Sequence, residues 1–210
     1  MKGAIFDLDG TLFDSMWVWH RVDERFLERH DLPREDDYLK SLGPMGFHRA
    51  AEYTKAYFDM PCSAEEILNE WFLQAKDLYD NEVLLKDGAK EYLEKLRREG
   101  VRLGIATSNH RDLFTGTLRR CGVLDLFDAV ATTSEVARGK EFPDVYLLAA
   151  ERLGTSPEET VVFEDIPQGL SGAKAGGFFT VAVEDPFSEK ERETLLALAD
   201  RYIGSFRELL

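Results

Sequence analysis

The chain has 210 residues, which at about 150 residues per domain makes one domain with an insertion, or two small ones. Its 26 lysines and arginines stand against 40 aspartates and glutamates, a net charge of −14; most of the surface then repels duplex DNA or an acidic membrane, so neither is an expected partner. A composition of 44% hydrophobic and 31% charged residues excludes the disordered, collagen-like and membrane-embedded classes.

Cys62 and Cys121 lie far apart and in no metal-binding spacing, which suits a reducing cytoplasm. Acidic Asp7 arrives before a signal-peptide apolar stretch can form, and no apolar run approaches the roughly 18 residues that span a bilayer. A cytoplasmic location is therefore expected, without export, lipid anchor or membrane span.

In chain order, Gly3 to Leu8 is a short apolar run ending in the turn signal Asp9-Gly10-Thr11, which reads as a buried strand arriving at a loop. From Ser15 to about Leu84 several helical patterns follow one another with no convincing strand, separated by turn signals at Asp31-Leu32-Pro33, Gly43-Pro44-Met45-Gly46 and Asp59-Met60-Pro61. The last of these helices is the clearest. Ser63 and Glu66 form a capping box, and Ile67, Leu68, Trp71, Phe72, Ala75, Leu78 and Tyr79 recur at helical spacing.

Beyond this insertion, strands and helices alternate. Strands are expected at Val101–Ala106, around Val130-Ala131, at Val161–Phe163, Phe178–Val183 and Arg201–Ile203. Helices are expected at Asp87–Glu99, Asp112–Cys121, Pro143–Leu153 and Gln168–Ala175, with a further capping-box pattern at Ser156-Pro157-Glu158-Glu159. Alternation of this kind implies a mostly parallel sheet covered on both faces. The expected architecture is α/β, a Rossmann-like three-layer core from 1–14 and 84–210, with an all-helical cap domain inserted at 15–83.

Asp7 and Asp9 fall at the carboxyl end of the first strand, where open parallel sheets bind ligands. Two carboxylates there call for a cation, and a hard divalent ion such as Mg2+ needs only one or two of them plus a carbonyl and waters. Glu164-Asp165 ends another apolar strand with a second acidic pair. Thr107-Ser108-Asn109 ends a third, and Lys140 lies in the loop that precedes Pro143. Together they form a constellation in which every strand end contributes something a phosphate-handling site needs. Taken singly, Thr107 reads as an ordinary strand residue and Lys140 as a solvated lysine.

In order and spacing, DLDGTLFDS, ATSN, Lys140 and FED resemble the four motifs of the haloacid dehalogenase superfamily. The subgroup is the one with a helical cap after the first strand, which includes β-phosphoglucomutase and phosphoglycolate phosphatase. The resemblance covers essentially the whole chain and implies roles. Asp7 would be the nucleophile, Asp9 the general acid/base and, through its carbonyl, a metal ligand. Thr107 and the backbone amides of Ser108 and Asn109 would bind phosphoryl oxygens, and Lys140 would offset negative charge. Asp165 would bind Mg2+, with Glu164 either a ligand or its neighbour.

Asp9 favours ester over carbon–halogen chemistry, since halide leaves without a proton. In the cap, Arg49 would reach the distal group of the substrate, and Trp19, entering from the hinge, is a candidate pocket wall. A mutase histidine corresponds to Trp19, which favours hydrolysis. Two departures stand out: Ile166 replaces the serine after the fourth motif, and Glu141 the proline after Lys140.

The implied activity is a Mg2+-dependent phosphatase acting on a small phosphate ester such as a sugar phosphate. A phosphomutase of the β-phosphoglucomutase type and a non-catalytic phosphometabolite-binding protein are the alternatives. The sequence does not fix the oligomeric state, a monomer being favoured.

Overall fold

A computed structural model describes residues 1–42, 45 and 47–210, with the Lys40 side chain set aside; the turn signals at Gly43, Pro44 and Gly46 lie outside the described residues. The chain forms two compact units, Met1–Met16 with Val83–Leu210, and Trp17–Glu82.

The first unit is built on strands β1 (Gly3–Phe6), β4 (Arg102–Thr107), β5 (Ala129–Thr132), β6 (Thr160–Glu164), β7 (Phe179–Val183) and β8 (Arg201–Ile203), in the order β5-β4-β1-β6-β7-β8. Every pairing in this sheet is parallel, with Phe6 opposite both Ile105 and Phe163. Its helices are α5 (Ala89–Arg98), α6 (Arg111–Arg120), α7 (Asp144–Leu153), α8 (Pro167–Ala175) and α9 (Arg192–Leu198). The expected Rossmann-like core is what the chain adopts.

Side-chain alternation along a strand explains both layers. Ile5 on β1 and Val162 on β6 join an apolar cluster with Val145, Tyr146, Ala149 and Leu153 of α7. Phe6 and Phe163, one residue on, turn to the opposite face and stack at 4.5 Å, closed over by Tyr92 of α5 and Phe206. Continuing the alternation, Asp7 and Glu164 return to the α7 face at the carboxyl end of the sheet.

The second unit holds α1 (Val18–Arg29), α2 (Asp36–Leu42), α3 (Phe47–Tyr57) and α4 (Ala64–Asn81). At the start of α4 the Ser63 hydroxyl accepts from the Glu66 amide at 3.2 Å, while the Glu66 carboxylate accepts from the Ser63 amide at 2.7 Å, the reciprocal cap its sequence predicts. Trp71 of α4 meets Phe26 of α1 edge-on at 5.6 Å, and Tyr38 of α2 shares a hydrogen bond of 2.9 Å with Thr54 of α3. No helix among the described residues is long and apolar enough to cross a membrane.

Phe13–Asp14 (β2) and Leu84–Leu85 (β3) pair antiparallel as a ribbon flanking the insertion, which the sequence pattern does not reveal because two residues per strand are too few to leave a period-two pattern. Two local expectations need correction. β1 stops at Phe6 rather than Leu8, because Thr11, Leu12 and Phe13 all donate back to the Leu8 carbonyl and wind the chain into a turn. Ser156 caps nothing with its side chain: the following turn, Pro157–Glu159, is a single 3-10 turn.

Candidate active site

The strand ends bring Asp7, Glu164 and Asp165 together, one carboxylate oxygen of each lying within 4.8 Å of the others, all three residues buried. Lys140 reaches them from the loop before α7, its ammonium donating to Asp7 Oδ1 and, at 2.6 Å, to Glu164 Oε1. Tyr146 of α7 donates to the same Glu164 oxygen at 2.7 Å. From the turn after β1, Thr11 Oγ1 donates to Asp165 Oδ1 at 2.8 Å.

Gly10, between Asp9 and Thr11, has φ +80°, and a Cβ there would stand 2.2 Å from Asp165 Oδ2. Only glycine satisfies both the left-handed turn and this close approach.

Three buried carboxylates face one ammonium. Burial pushes Asp7 well above the usual carboxylate range, Lys140 opposing and Glu164, Asp165 and Asp9 adding to the rise. Burial likewise lifts Asp165 to about 7, with Glu164 adding and Thr11, Lys140 and Lys86 opposing. For Lys140 burial works against the charged form, but Asp7 and Glu164 outweigh it and hold the ammonium above its ordinary value.

A positive ion among these oxygens would relieve the repulsion. Asp165 Oδ2 is buried with no hydrogen-bond partner among the described residues, an acceptor that a cation would satisfy. An all-oxygen donor set of this kind fits a hard divalent metal.

Asp9 sits apart from that cluster, half-buried. Ser15 donates to its Oδ1 and the Asn109 side chain to its Oδ2, both at 2.7 Å. Thr107, at the end of β4, accepts from the Asn109 amide at 3.0 Å. Asn109 thus ties Asp9 to Thr107 through its side chain as well as its backbone, whereas its sequence motif suggests backbone donation alone. The Ser108 side chain is exposed.

The core residues singled out in the sequence therefore gather at the ends of β1, β4 and β6. Trp19 and Arg49 belong to the helical unit, where Trp19 meets Phe47 edge-on at 4.6 Å and Arg49 is exposed on α3.

Three participants went unread. Thr11 and Ser15 lie inside the DLDGTLFDS motif, where a hydroxyl directly after Gly10 and another directly after Asp14 were the available signal. Tyr146 offered none, since a tyrosine on an amphipathic helix reads as core.

The description haloacid dehalogenase-like hydrolase matches residues 4–183. The chain is 34% identical over 183 residues to validoxylamine A 7'-phosphate phosphatase of Streptomyces hygroscopicus subsp. limoneus, covering 87% of this chain and 85% of that one. Similarity to beta-phosphoglucomutase of Bacillus subtilis (strain 168) is 27% over 191 residues, or 87% and 83% of the two chains. Among solved structures, CbbY from Rhodobacter sphaeroides in complex with phosphate matches with a TM-score of 0.80 and 26% identity, over 100% of this chain and 96% of that one. The chain belongs to the haloacid dehalogenase-like hydrolases, as a phosphoric monoester hydrolase of that family.

Proposed function

We propose that the chain is a Mg2+-dependent phosphatase of a small phosphorylated metabolite, a sugar phosphate or similar, working through an aspartyl-phosphate on Asp7. The observation that carries this reading is the convergence of Asp7, Lys140, Glu164 and Asp165 in one buried cluster with an unpartnered carboxylate oxygen. The relatives named as phosphatases support the reaction class.

Asp7, Asp165, Glu164 and the Asp9 carbonyl would hold the metal. When bound, Mg2+ would supply positive charge to neutralise the phosphoryl oxygens. Asp7 attacks phosphorus; the bond to the ester oxygen breaks as the Asp7–phosphorus bond forms, and Asp9 gives its proton to the leaving alcohol. Water then attacks the same phosphorus, passing a proton to Asp9, and Asp7 is released with inorganic phosphate. Lys140 holds the Asp7 carboxylate in place and offsets the phosphoryl charge; the Thr107 hydroxyl and the Ser108 amide bind phosphoryl oxygens, and the Asn109 amide, which donates to Thr107 Oγ1, turns from that oxygen to the phosphoryl group when substrate is bound.

The helical unit acts as the cap, with Arg49 reading the distal group of the substrate and Trp19 contributing an apolar wall. A cytoplasmic, monomeric enzyme is part of the same reading.

A phosphomutase would use the same core residues, and the B. subtilis relative is the observation that favours it; Trp19 at the mutase histidine position favours hydrolysis. Assays of phosphate release against isomerisation of hexose 1-phosphates, with and without Mg2+, separate the two. Release without isomerisation supports the proposal. Isomerisation without release contradicts it, and binding of esters without either reaction would point to a silent binding protein.

A further inference from the structure

Glu164 has two oxygens and three neighbours with a claim on it. Oε1 accepts from Lys140 Nζ at 2.6 Å and from the Tyr146 hydroxyl at 2.7 Å, while Oε2 meets the Asp165 amide at a long 3.3 Å. Tyr146 is fully buried among Ile5, Ala149 and Val162, its ring edge-on to Phe178. Packing alone would be served equally by phenylalanine there. A phenol hydroxyl in an apolar cluster is retained only where it finds a strong acceptor, and here the acceptor is a carboxylate at the centre of the site.

We propose that Tyr146 is a positioning residue that divides the two oxygens of Glu164. Two donors converging on Oε1 fix the rotation of the carboxylate, commit that oxygen to Lys140, and leave Oε2 with lone pairs to offer the cation. Glu164, which the sequence reads as either metal ligand or neighbour, is then both at once, one role per oxygen. The inference rests on the metal-dependent reading above and deepens it, because Lys140, anchored on Glu164 Oε1, is thereby aimed at Asp7.

The test is the affinity of the full chain for Mn2+, followed by electron paramagnetic resonance of the free ion, with turnover measured alongside. Tyr146→Phe keeps the ring and removes one hydroxyl. Groups that orient a metal ligand are worth about 10-fold or more in affinity or activity. The variant should therefore bind Mn2+ roughly tenfold more weakly and lose kcat to a similar degree, with KM for p-nitrophenyl phosphate unchanged. A purely packing role would lower only the melting temperature; unchanged Mn2+ affinity and kcat in a folded variant overturn the proposal.

Glu164→Gln supplies the second arm. In that background adding Tyr146→Phe should change Mn2+ affinity by less than about twofold, since both changes disable one group, and a further large fall would show Tyr146 acting apart from Glu164 and overturn the proposal. If the unaltered chain binds no Mn2+, the metal-dependent reading fails and this inference with it. If it binds and Tyr146→Phe binds equally well, only the role of Tyr146 falls.

Discussion

Gly172→Ala should lower both stability and turnover, the reverse of what alanine does in an ordinary helix. Gly172 lies within α8, where replacing glycine normally gains about 1 kcal/mol of helix propensity. Here a Cβ would stand 2.0 Å from the Lys140 carbonyl oxygen and 2.7 Å from that of Phe142, both backbone atoms that no rotamer change can move aside. Overpacking typically costs about 1–3 kcal/mol, and a clash this deep against backbone belongs at or beyond the top of that range.

The net loss is then about 2 kcal/mol, or roughly 4–8 °C in melting temperature for a chain of this size. Relief of the clash must shift the Lys140 loop or the helix, and displacements of about 1 Å in a positioning group cost up to about 100-fold in rate. Differential scanning fluorimetry and p-nitrophenyl phosphate turnover read the two effects. A melting temperature that rises, as an unconstrained helix glycine would give, refutes the idea that α8 is seated directly on the Lys140 backbone.

Other substitutions probe separate parts of the account. Thr11→Val removes the donor to Asp165 Oδ1 at constant shape; hydrogen bonds to charged groups are worth about 1.5–3 kcal/mol, so Mg2+ dependence measured by titration of activity should shift at least several-fold, and an unchanged profile would remove Thr11 from the site. Asp23 in α1 is lifted to about 6 by burial, with Glu24 adding. The fold favours its neutral form, so its contribution to stability is complete below about pH 4 and lost as pH rises through about 6. Asp23→Asn should then stabilise the chain above pH 6 by about 1–2 kcal/mol after allowance for its partial exposure, and not at pH 3.5, in urea titrations at the two pH values; equal effects at both would contradict the shift. Arg49→Ala should raise KM for substrates with a distal anionic or hydroxylated group while leaving p-nitrophenyl phosphate unaffected, and a uniform loss across all esters would deny it a specificity role.

The core was legible because it repeats one instruction. Each short apolar run that ends in a polar residue, Phe6 before Asp7, Ala106 before Thr107, Phe163 before Glu164, becomes a buried parallel strand whose end delivers a polar side chain to the candidate site, whereas Lys140, a solvated lysine when taken singly, was legible only from the order and spacing of the four motifs together. What escaped notice depends on packing rather than pattern. The β2–β3 ribbon is too short for periodicity, and it follows directly on the turn in which the amides of residues 11–13 donate back to the Leu8 carbonyl.

Tyr146 and Thr11 become site residues only because strand alternation and the Gly10 turn carry their hydroxyls to carboxylates distant in sequence. Likewise, Asn109 holds Asp9 across 100 positions of chain. The specificity roles proposed for Arg49 and Trp19 rest on a single loop and one aromatic pair in the sequence, because which substrate group a side chain meets is set by packing and not by spacing.

The central claim is that Asp7 carries the phosphoryl group. Rapid quenching of the chain during turnover with sodium borohydride, which reduces an acyl phosphate to the alcohol, followed by peptide mass spectrometry, tests it directly. The account predicts reduction at Asp7, dependent on substrate and Mg2+ and absent in Asp7→Asn. Phosphate release that proceeds with Asp7 unmodified, or with the label on another residue, would contradict it.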